Sequence, residues 1–220
     1  MTEREKIDAL IESHISRTKK KSLIYGVGLY DVAFPKEIVI EGKLYSHRAH
    51  TVRANILQRC YRPQTEQACR TYAGCSVAGE WLRFSNFLVF WKENYREGYH
   101  LDKDLLLPGN KIYGPEYCVF VPRALNNFTT DHGSARGQYP QGVNWNKRDK
   151  RFQVGINCNG KRKSLGYFSN ANEAHAAWCS AKLELAQGWK ATCDKIHPGL
   201  FDGLMNKVRL MCHCRGLDVV

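Results

Sequence analysis

The stretch Arg151-Phe-Gln-Val-Gly-Ile-Asn157, followed by Asn159-Gly160 and Arg162-Lys-Ser-Leu-Gly-Tyr-Phe168, decides the fold of the C-terminal half of this chain. In the first run every second residue from Phe152 to Ile156 is apolar, and the residues between are polar or glycine. Such alternation predicts a strand with one buried and one solvated face. Because Asn-Gly is a strong hairpin signal, the two runs are expected to pair as an antiparallel hairpin.

Neighbouring residues extend this hairpin into a small α+β module. Gly142-Val-Asn-Trp-Asn146 predicts another strand, joined to the hairpin by the turn Lys147-Arg-Asp-Lys150. Asn170 as N-cap, with Glu173 three residues later, predicts the start of a helix with a capping box. The helix has an apolar stripe that should cover the apolar face of the sheet, formed by Ala174, Ala177, Trp178 and Ala181. Residues 140–188 therefore predict a three-stranded antiparallel sheet plus a helix.

The other face of the sheet is expected to be polar and basic, since residues 140–165 hold seven Lys or Arg against one acid, Asp149. Through Gly142-Val143, Leu165-Gly-Tyr-Phe168 and Glu173-Ala174, the module resembles the AP2/ERF DNA-binding domain, whose sheet enters the major groove of duplex DNA. The DNA contacts that this resemblance implies by position are Asn144, Asn146, Arg148, Arg151, Gln153, Asn157, Arg162 and Ser164. Several arginines typical of the plant members are asparagine here, which leaves the recognised sequence open. The alternative is a solvated sheet face.

A second set of motifs lies upstream, in His100-Leu-Asp-Lys-Asp104, Gly109-Asn110, Tyr113, Pro115-Glu-Tyr-Cys118 and Asn126. An extended run over residues 99–106, a turn at Pro108-Gly-Asn110, a second strand and a helix starting near Pro122 predict a β-hairpin followed by a helix. This arrangement would bring Asp102 close to Asn126. One carboxylate and one amide oxygen suit a hard divalent cation, which assists phosphodiester cleavage.

The motifs resemble those of phage HNH (ββα-metal, His-Me finger) homing-endonuclease-like proteins. The resemblance covers about residues 24–128, because it extends upstream through Gly26-Val-Gly28, Arg59-Cys-Tyr61, Tyr72-Ala-Gly74 and Glu80-Trp81. The resemblance implies that Asp102 and Asn126 bind Mg²⁺ or another divalent cation, that Lys103 occupies the position of the catalytic base, and that Asn110 supports the loop. One departure is Gly114, because the branch of this family that has a basic residue at the histidine position has serine there.

The weak point of the nuclease interpretation is Lys103, because a lysine with an ordinary pKa is protonated at neutral pH and cannot accept a proton. Two alternatives stay open: His100 serves as the base, or Asp104 takes over a ligand role. In a third alternative, this segment has the same fold but neither binds a metal nor catalyses a reaction. Asp102 and Asp104 then pair with Lys103, Lys111 or Arg123, and Asn110 only permits a left-handed turn.

Composition favours a nucleic-acid partner. The 33 Lys and Arg residues against 21 Asp and Glu give a formal net charge of +12, which favours polyanions through counterion release.

No apolar run is long enough to span a membrane, and the charged start Met1-Thr-Glu-Arg-Glu-Lys6 is unlike a signal sequence. An intracellular protein with thiols is therefore expected. Zinc is not expected, because no common finger spacing is matched by Cys193, His197, Cys212, His213 and Cys214.

Together these patterns predict an α+β protein in which an HNH-like ββα-metal module is followed by an AP2-like module. The predicted segments are an N-terminal helix and basic tract (1–23), the nuclease-like module (24–130), a linker (131–139), the sheet-and-helix module (140–188) and a helical extension (189–220). The predicted function is a homing-type, metal-dependent endonuclease that cleaves or nicks duplex DNA in the bacterial host of a phage. The alternative is a catalytically silent relative that binds DNA sequence-specifically. No membrane and no small-molecule cofactor is expected.

Overall fold

The computed structural model describes residues 1–15, 23–130, 138–158 and 160–213. The basic tract Arg17–Lys21, most of the predicted linker and Asn159 of the predicted hairpin turn lie outside the described residues. The helices are α1 Glu3–Ser13, α2 Arg48–Tyr61, α3 Glu66–Thr71, α4 Phe84–Asn94, α5 Arg123–Phe128, α6 Ala171–Gln187, α7 Lys190–Ile196 and α8 Leu200–His213. The strands are β1 Leu23–Ile24, β2 Gly28–Leu29, β3 Glu37–Ile40, β4 Lys43–Ser46, β5 Ser76–Val77, β6 Tyr99–Asp102, β7 Ile112–Tyr113, β8 Val119–Pro122, β9 Val143–Asn146, β10 Arg151–Cys158 and β11 Lys161–Phe168.

The mixed α+β class is confirmed, and the chain divides into two compact units. Unit 1 comprises Met1–Glu97 and Gly109–Phe120, and unit 2 comprises Gly98–Pro108 and Val121–Val220. The division does not follow the predicted modules, because two segments of the nuclease-like region, 98–108 and 121–130, pack with the C-terminal part of the chain. Within the described residues, no helix is long and apolar enough to cross a membrane.

Unit 1 is built on an aromatic core between α2 and α4. Trp81, Phe84, Leu88 and Trp91, which lie at helical spacing in the sequence, are all buried. They belong to two segments, however: a 3₁₀ turn, Gly79–Leu82, precedes α4, and Arg83 between them is extended. The break leaves the carbonyls of Trp81 and Leu82 to accept hydrogen bonds from buried Arg53. Burial lowers the pKa of that guanidinium to about 10.

Unit 2 contains the predicted sheet and helix. Strands pair in the order β11-β10-β9, antiparallel throughout, and α6 packs on one face over a core formed by Val143, Val154, Ile156, Ala174, Trp178 and Met211. Gly142 makes this packing possible, since a Cβ there would lie 2.0 Å from Trp178 Cδ1. Asn170 caps α6 through the Asn172 N–H at 2.7 Å, so the cap bond differs from the predicted capping box with Glu173.

Helix α8 ties two parts of unit 2 together. At its C-terminal end Met211 enters the sheet core, and the carbonyl of Cys212 lies 3.2 Å from Nε2 of His175 on α6. Near its start, Gly203 packs so closely on the loop after β6 that a Cβ would lie 1.9 Å from the Leu105 carbonyl oxygen. The loop that follows Asp102 is therefore held against α8, which explains why residues 98–108 belong to unit 2.

Candidate functional site

The polar face of the three-stranded sheet carries most of the residues predicted to contact DNA. Cross-strand partners lie on the same face, and the register pairs Asn144 with Gln153 and Gln153 with Tyr167. It also pairs Asn157 with Arg162. The remaining members of the face are Asn146, Arg151, Gly155 and Ser164. All lie opposite the α6 side, because Val143, Val154 and Ile156 point into the core.

Tyr167 belongs to this face although strict alternation from Arg162 and Ser164 would place it on the other. A register shift between Val154 and Gly155 accounts for the difference, since it leaves Leu165 as an extra residue in β11. Gly166, with φ +119°, accommodates the irregularity. A glycine inside a strand pattern is the sequence signal that would have found this bulge. Tyr167 is 45% exposed.

Arg162 lies across the polar face over Gly155. A Cβ at Gly155 would stand 2.7 Å from Arg162 Nε and 3.4 Å from its Cζ. The absence of a side chain on the central strand thus lets the guanidinium lie close to the sheet. Arg162 itself is exposed, so its donors are available to an incoming ligand. The sequence predicted Arg162 as a contact but gave no role to Gly155.

Asn146 and Arg148 are placed differently from the other predicted contacts. Asn146 Oδ1 accepts the backbone N–H groups of Arg148 and Asp149 at 3.0 and 3.1 Å, while its Nδ2 donates to Asp149 Oδ2. These bonds hold the β9–β10 turn and occupy the amide, so Asn146 stabilises this turn, and its contact with DNA stays a prediction. Arg148 lies in that turn, paired at 3.2 Å with Asp149 and almost fully exposed.

The nuclease-like segment begins on β6, where the strand ends at Asp102. The predicted extended run over residues 99–106 was too long, and Asp104 is therefore not aligned with His100 and Asp102 by strand alternation. Asp102 Oδ1 accepts the N–H groups of Asp104 and Leu105 at 2.6 and 2.8 Å, which turns the chain. Lys103 Nζ pairs with Asp104 Oδ1 at 2.7 Å. His100 is exposed.

Asn126 lies on α5, which follows β8 directly and contacts β6. The Asn126 side chain is half-buried. Because α5 contacts β6, the Asn126 amide and the Asp102 carboxylate belong to neighbouring elements of unit 2. Asn110 belongs to unit 1, where its amide brackets Ile112, donating to the carbonyl at 2.7 Å and accepting from the N–H at 3.1 Å. The left-handed residue of this turn is Gly109, with φ +82°, and not Asn110.

The hydrogen bonds of Asp102 limit how many oxygens this segment can offer to a metal ion. One oxygen of Asp102 is committed to the turn, and the other remains a possible ligand together with the Asn126 amide oxygen. Among the described residues, no group of three or more His, Cys, Asp or Glu side chains is arranged to hold a metal ion. Cys214 of the cysteine- and histidine-containing C-terminal segment lies outside the described residues.

Comparisons of this chain with protein-family models, with curated protein sequences and with solved structures found no match. The side chains described above are therefore the basis for assigning a function.

Proposed function

We propose that this chain is a sequence-specific DNA-binding protein that reads the major groove of duplex DNA with the polar face of β9, β10 and β11. The observation that supports this proposal is the cross-strand register, which brings Asn144, Gln153, Asn157 and Arg162 onto one face. Amide and guanidinium groups are those that form bidentate hydrogen bonds with base edges. A phage protein of this kind would act inside its bacterial host.

The dimensions of the sheet agree with a groove-binding role. Adjacent strands lie about 4.8 Å apart, so three strands present a backbone surface roughly 10 Å wide. The major groove of B-form DNA is about 12 Å wide and admits a β-ribbon, whereas the major groove of an RNA helix is too narrow for side chains to read. Duplex DNA therefore fits the face better than duplex RNA.

The charge distribution also supports this function. Basic residues lie at both ends of the sheet, with Lys147, Arg148 and Lys150 in the β9–β10 turn and Lys161 at the start of β11. Phosphate contacts supply affinity and position, and base contacts supply specificity. Basic residues at both ends of a face of amide groups provide both kinds of contact in one module.

The double variant Arg151→Ala/Arg162→Ala of the full chain tests the proposal. We expect its affinity for fluorescein-labelled 30-base-pair duplexes to fall by about tenfold or more, because two cationic contacts are lost. Lys195→Ala/Lys207→Ala, with the same change of charge on α7 and α8, is the matched control and should bind nearly as the wild type does. Equal losses in the two double variants would refute the assignment of the sheet face.

A second candidate function is metal-dependent DNA cleavage by the nuclease-like segment. The observation in its favour is the contact of α5 with β6, the elements that carry Asn126 and Asp102. Their oxygens would hold a Mg²⁺ ion, which would stabilise the leaving oxygen of a cleaved phosphodiester. Lys103 pairs with Asp104, and exposed His100, which strand alternation puts on the same side as Asp102, is the candidate base.

Nicking of supercoiled plasmid DNA in Mg²⁺ or Mn²⁺ tests the second candidate. Asp102→Asn keeps an oxygen for the two backbone N–H groups, and Asn126→Ala leaves that turn intact. If the segment is catalytic, these variants and His100→Gln should lose nicking while retaining DNA binding. A wild-type protein that binds duplexes but never nicks them with either metal would eliminate the endonuclease and leave the binding function in place.

A further inference from the structure

We propose that the sheet reads A·T base pairs at the centre of its site through Asn144 and Gln153, with Tyr167 against a neighbouring thymine methyl and Arg162 on a flanking guanine. This inference rests on the proposed DNA binding and adds the preferred sequence. It starts from a row of three residues that the register aligns across the sheet, one from each strand.

The row is Asn144 on β9, Gln153 on β10 and Tyr167 on β11. Directly opposed residues have Cβ atoms about 4.5–5.5 Å apart, which is between one and two base-pair steps of B-form DNA. Within the part of the chain that the structure describes, none of these side chains makes a hydrogen bond or ion pair. Their polar groups are therefore available for a ligand, in contrast with the amide of Asn146.

The chemistry of the row selects adenine and thymine. An Asn or Gln amide donates to N7 and accepts from N6 of adenine, which makes a bidentate pair. Guanine presents two acceptors at the same edge, so the amide carbonyl would face another acceptor. The ring of Tyr167 offers an apolar surface, and thymine is the base that carries a methyl group in the major groove.

Arg162 provides the flanking contact. Arg162 pairs with Asn157, two positions further along this face than the row, but its side chain lies over Gly155, which follows Gln153 on the same face of β10. A guanidinium is the usual bidentate partner of guanine O6 and N7. The arrangement has uncharged readers at the middle of the sheet and cations towards the strand ends, where the phosphate backbones flank the groove. Discrimination at the centre should therefore depend on amides and not on charge.

The test is selection of duplexes from a pool with ten randomised base pairs, using the full chain, followed by affinity measurements on the selected sequence. We expect selected duplexes to share a core containing A·T pairs beside a G·C pair. Asn144→Ala/Gln153→Ala should bind that core about tenfold more weakly and lose the preference for A·T, while Asn172→Ala, an amide removed from α6, should leave both unchanged. A G·C-only core, or an A·T preference that persists in the double variant, would overturn the inference.

A second probe isolates Tyr167. Replacing thymine by deoxyuridine in the selected core removes only the methyl group, and should weaken wild-type binding several-fold but leave Tyr167→Ala unaffected. Equal effects on both proteins would overturn the thymine contact. If the chain enriches no duplex and binds none, the proposed DNA-binding function itself fails, which is a different outcome from binding with another preference.

Discussion

At the scale of single residues, Lys182 is a buried cation on α6 that sequence reasoning passed over. Its Nζ donates to the Phe128 carbonyl at 2.5 Å and lies 3.5 Å from the centre of the Phe128 ring. Burial lowers the pKa of the ammonium to about 8. The hydrophobic stripe of α6 therefore contains a lysine where the sequence alone predicts only Ala and Trp.

We expect Lys182 to make the stability of the protein rise with pH above 8. In the unfolded chain lysine titrates near pH 10.4, so between about pH 8 and 10.4 the unfolded state holds a proton that the folded state has released. The cost of the buried charge is present below pH 8 and disappears over that window, a change on the order of 3 kcal/mol. Lys182→Met should flatten the rise. Urea unfolding of both proteins at several pH values measures it, and parallel curves would contradict it.

Gly155 is the other residue whose role only the contacts reveal. Its φ is not positive, so Gly155→Ala should keep the stability within about 1 kcal/mol of wild type. Its Cβ would displace the Arg162 side chain, which stands 2.7 Å away. We expect the affinity for the selected duplex to fall several-fold, measured by fluorescence anisotropy, while Gly79→Ala, with no atom within 4 Å of its Cβ, should bind as wild type does. Unchanged affinity in Gly155→Ala would remove Arg162 from the interface.

At the scale of elements, α8 is the part of the chain whose importance was underestimated. The sequence predicts only a helical extension over residues 189–220. In the structure, it contributes Met211 to the sheet core and holds the loop after Asp102 through Gly203 and fully buried Leu105. A glycine inside a helix costs about 1 kcal/mol relative to alanine. Gly203 is tolerated because the loop backbone lies where a side chain would be.

Gly203→Ala should therefore destabilise the protein in spite of its better helix propensity. Overpacking against a backbone carbonyl costs about 1–3 kcal/mol, and we expect a net loss of about 1–2 kcal/mol in urea unfolding. Asn206→Ala, on an exposed position of the same helix, should change the stability by less than about 0.5 kcal/mol. A Gly203→Ala protein as stable as wild type would show that α8 and the loop can separate without cost.

At the scale of the whole molecule, the charge is concentrated in the sheet module. Residues 140–165 carry seven Lys or Arg and one acid, a net +6, which is half of the chain's +12. DNA binding through this module should release condensed counterions, so that affinity falls steeply as salt concentration rises. Surface charges elsewhere in the chain contribute to solubility and steering but not to register on the duplex.

We expect a plot of log affinity against log KCl concentration to be linear with a negative slope, and each lost phosphate contact to reduce its magnitude by about 0.9. Arg148→Ala, in the exposed β9–β10 turn, should produce such a reduction for every duplex sequence. Asn144→Ala should weaken binding to the selected duplex without changing the slope. A slope unaffected by Arg148→Ala would place the phosphates away from this turn.

Several features could be predicted from the sequence because they depend on local pattern. The strands at 143–146, 151–158 and 161–168 and the helix after Asn170 follow from alternation, turn residues and helical spacing. The polar face could also be predicted, since residues on a strand alternate between two sides. The bulge at Leu165 could not be predicted, because it depends on pairing with β10. For that reason the sequence does not assign Tyr167 to a face.

The sequence by itself determined the α+β class, the three-stranded sheet with its covering helix, and the basic character of the exposed face, because periodicity and charge are properties of neighbouring residues. Tertiary structure alone decided which polar groups remain available. The amide of Asn146 is hydrogen-bonded within a turn, and Lys103 pairs with Asp104. One oxygen of Asp102 accepts backbone N–H groups, and the loop after Asp102 packs on α8. Side-chain hydrogen bonds within a turn leave no periodic signal in the sequence, and neither does close packing between distant segments such as Gly203 and Leu105, so only the folded arrangement could reveal them.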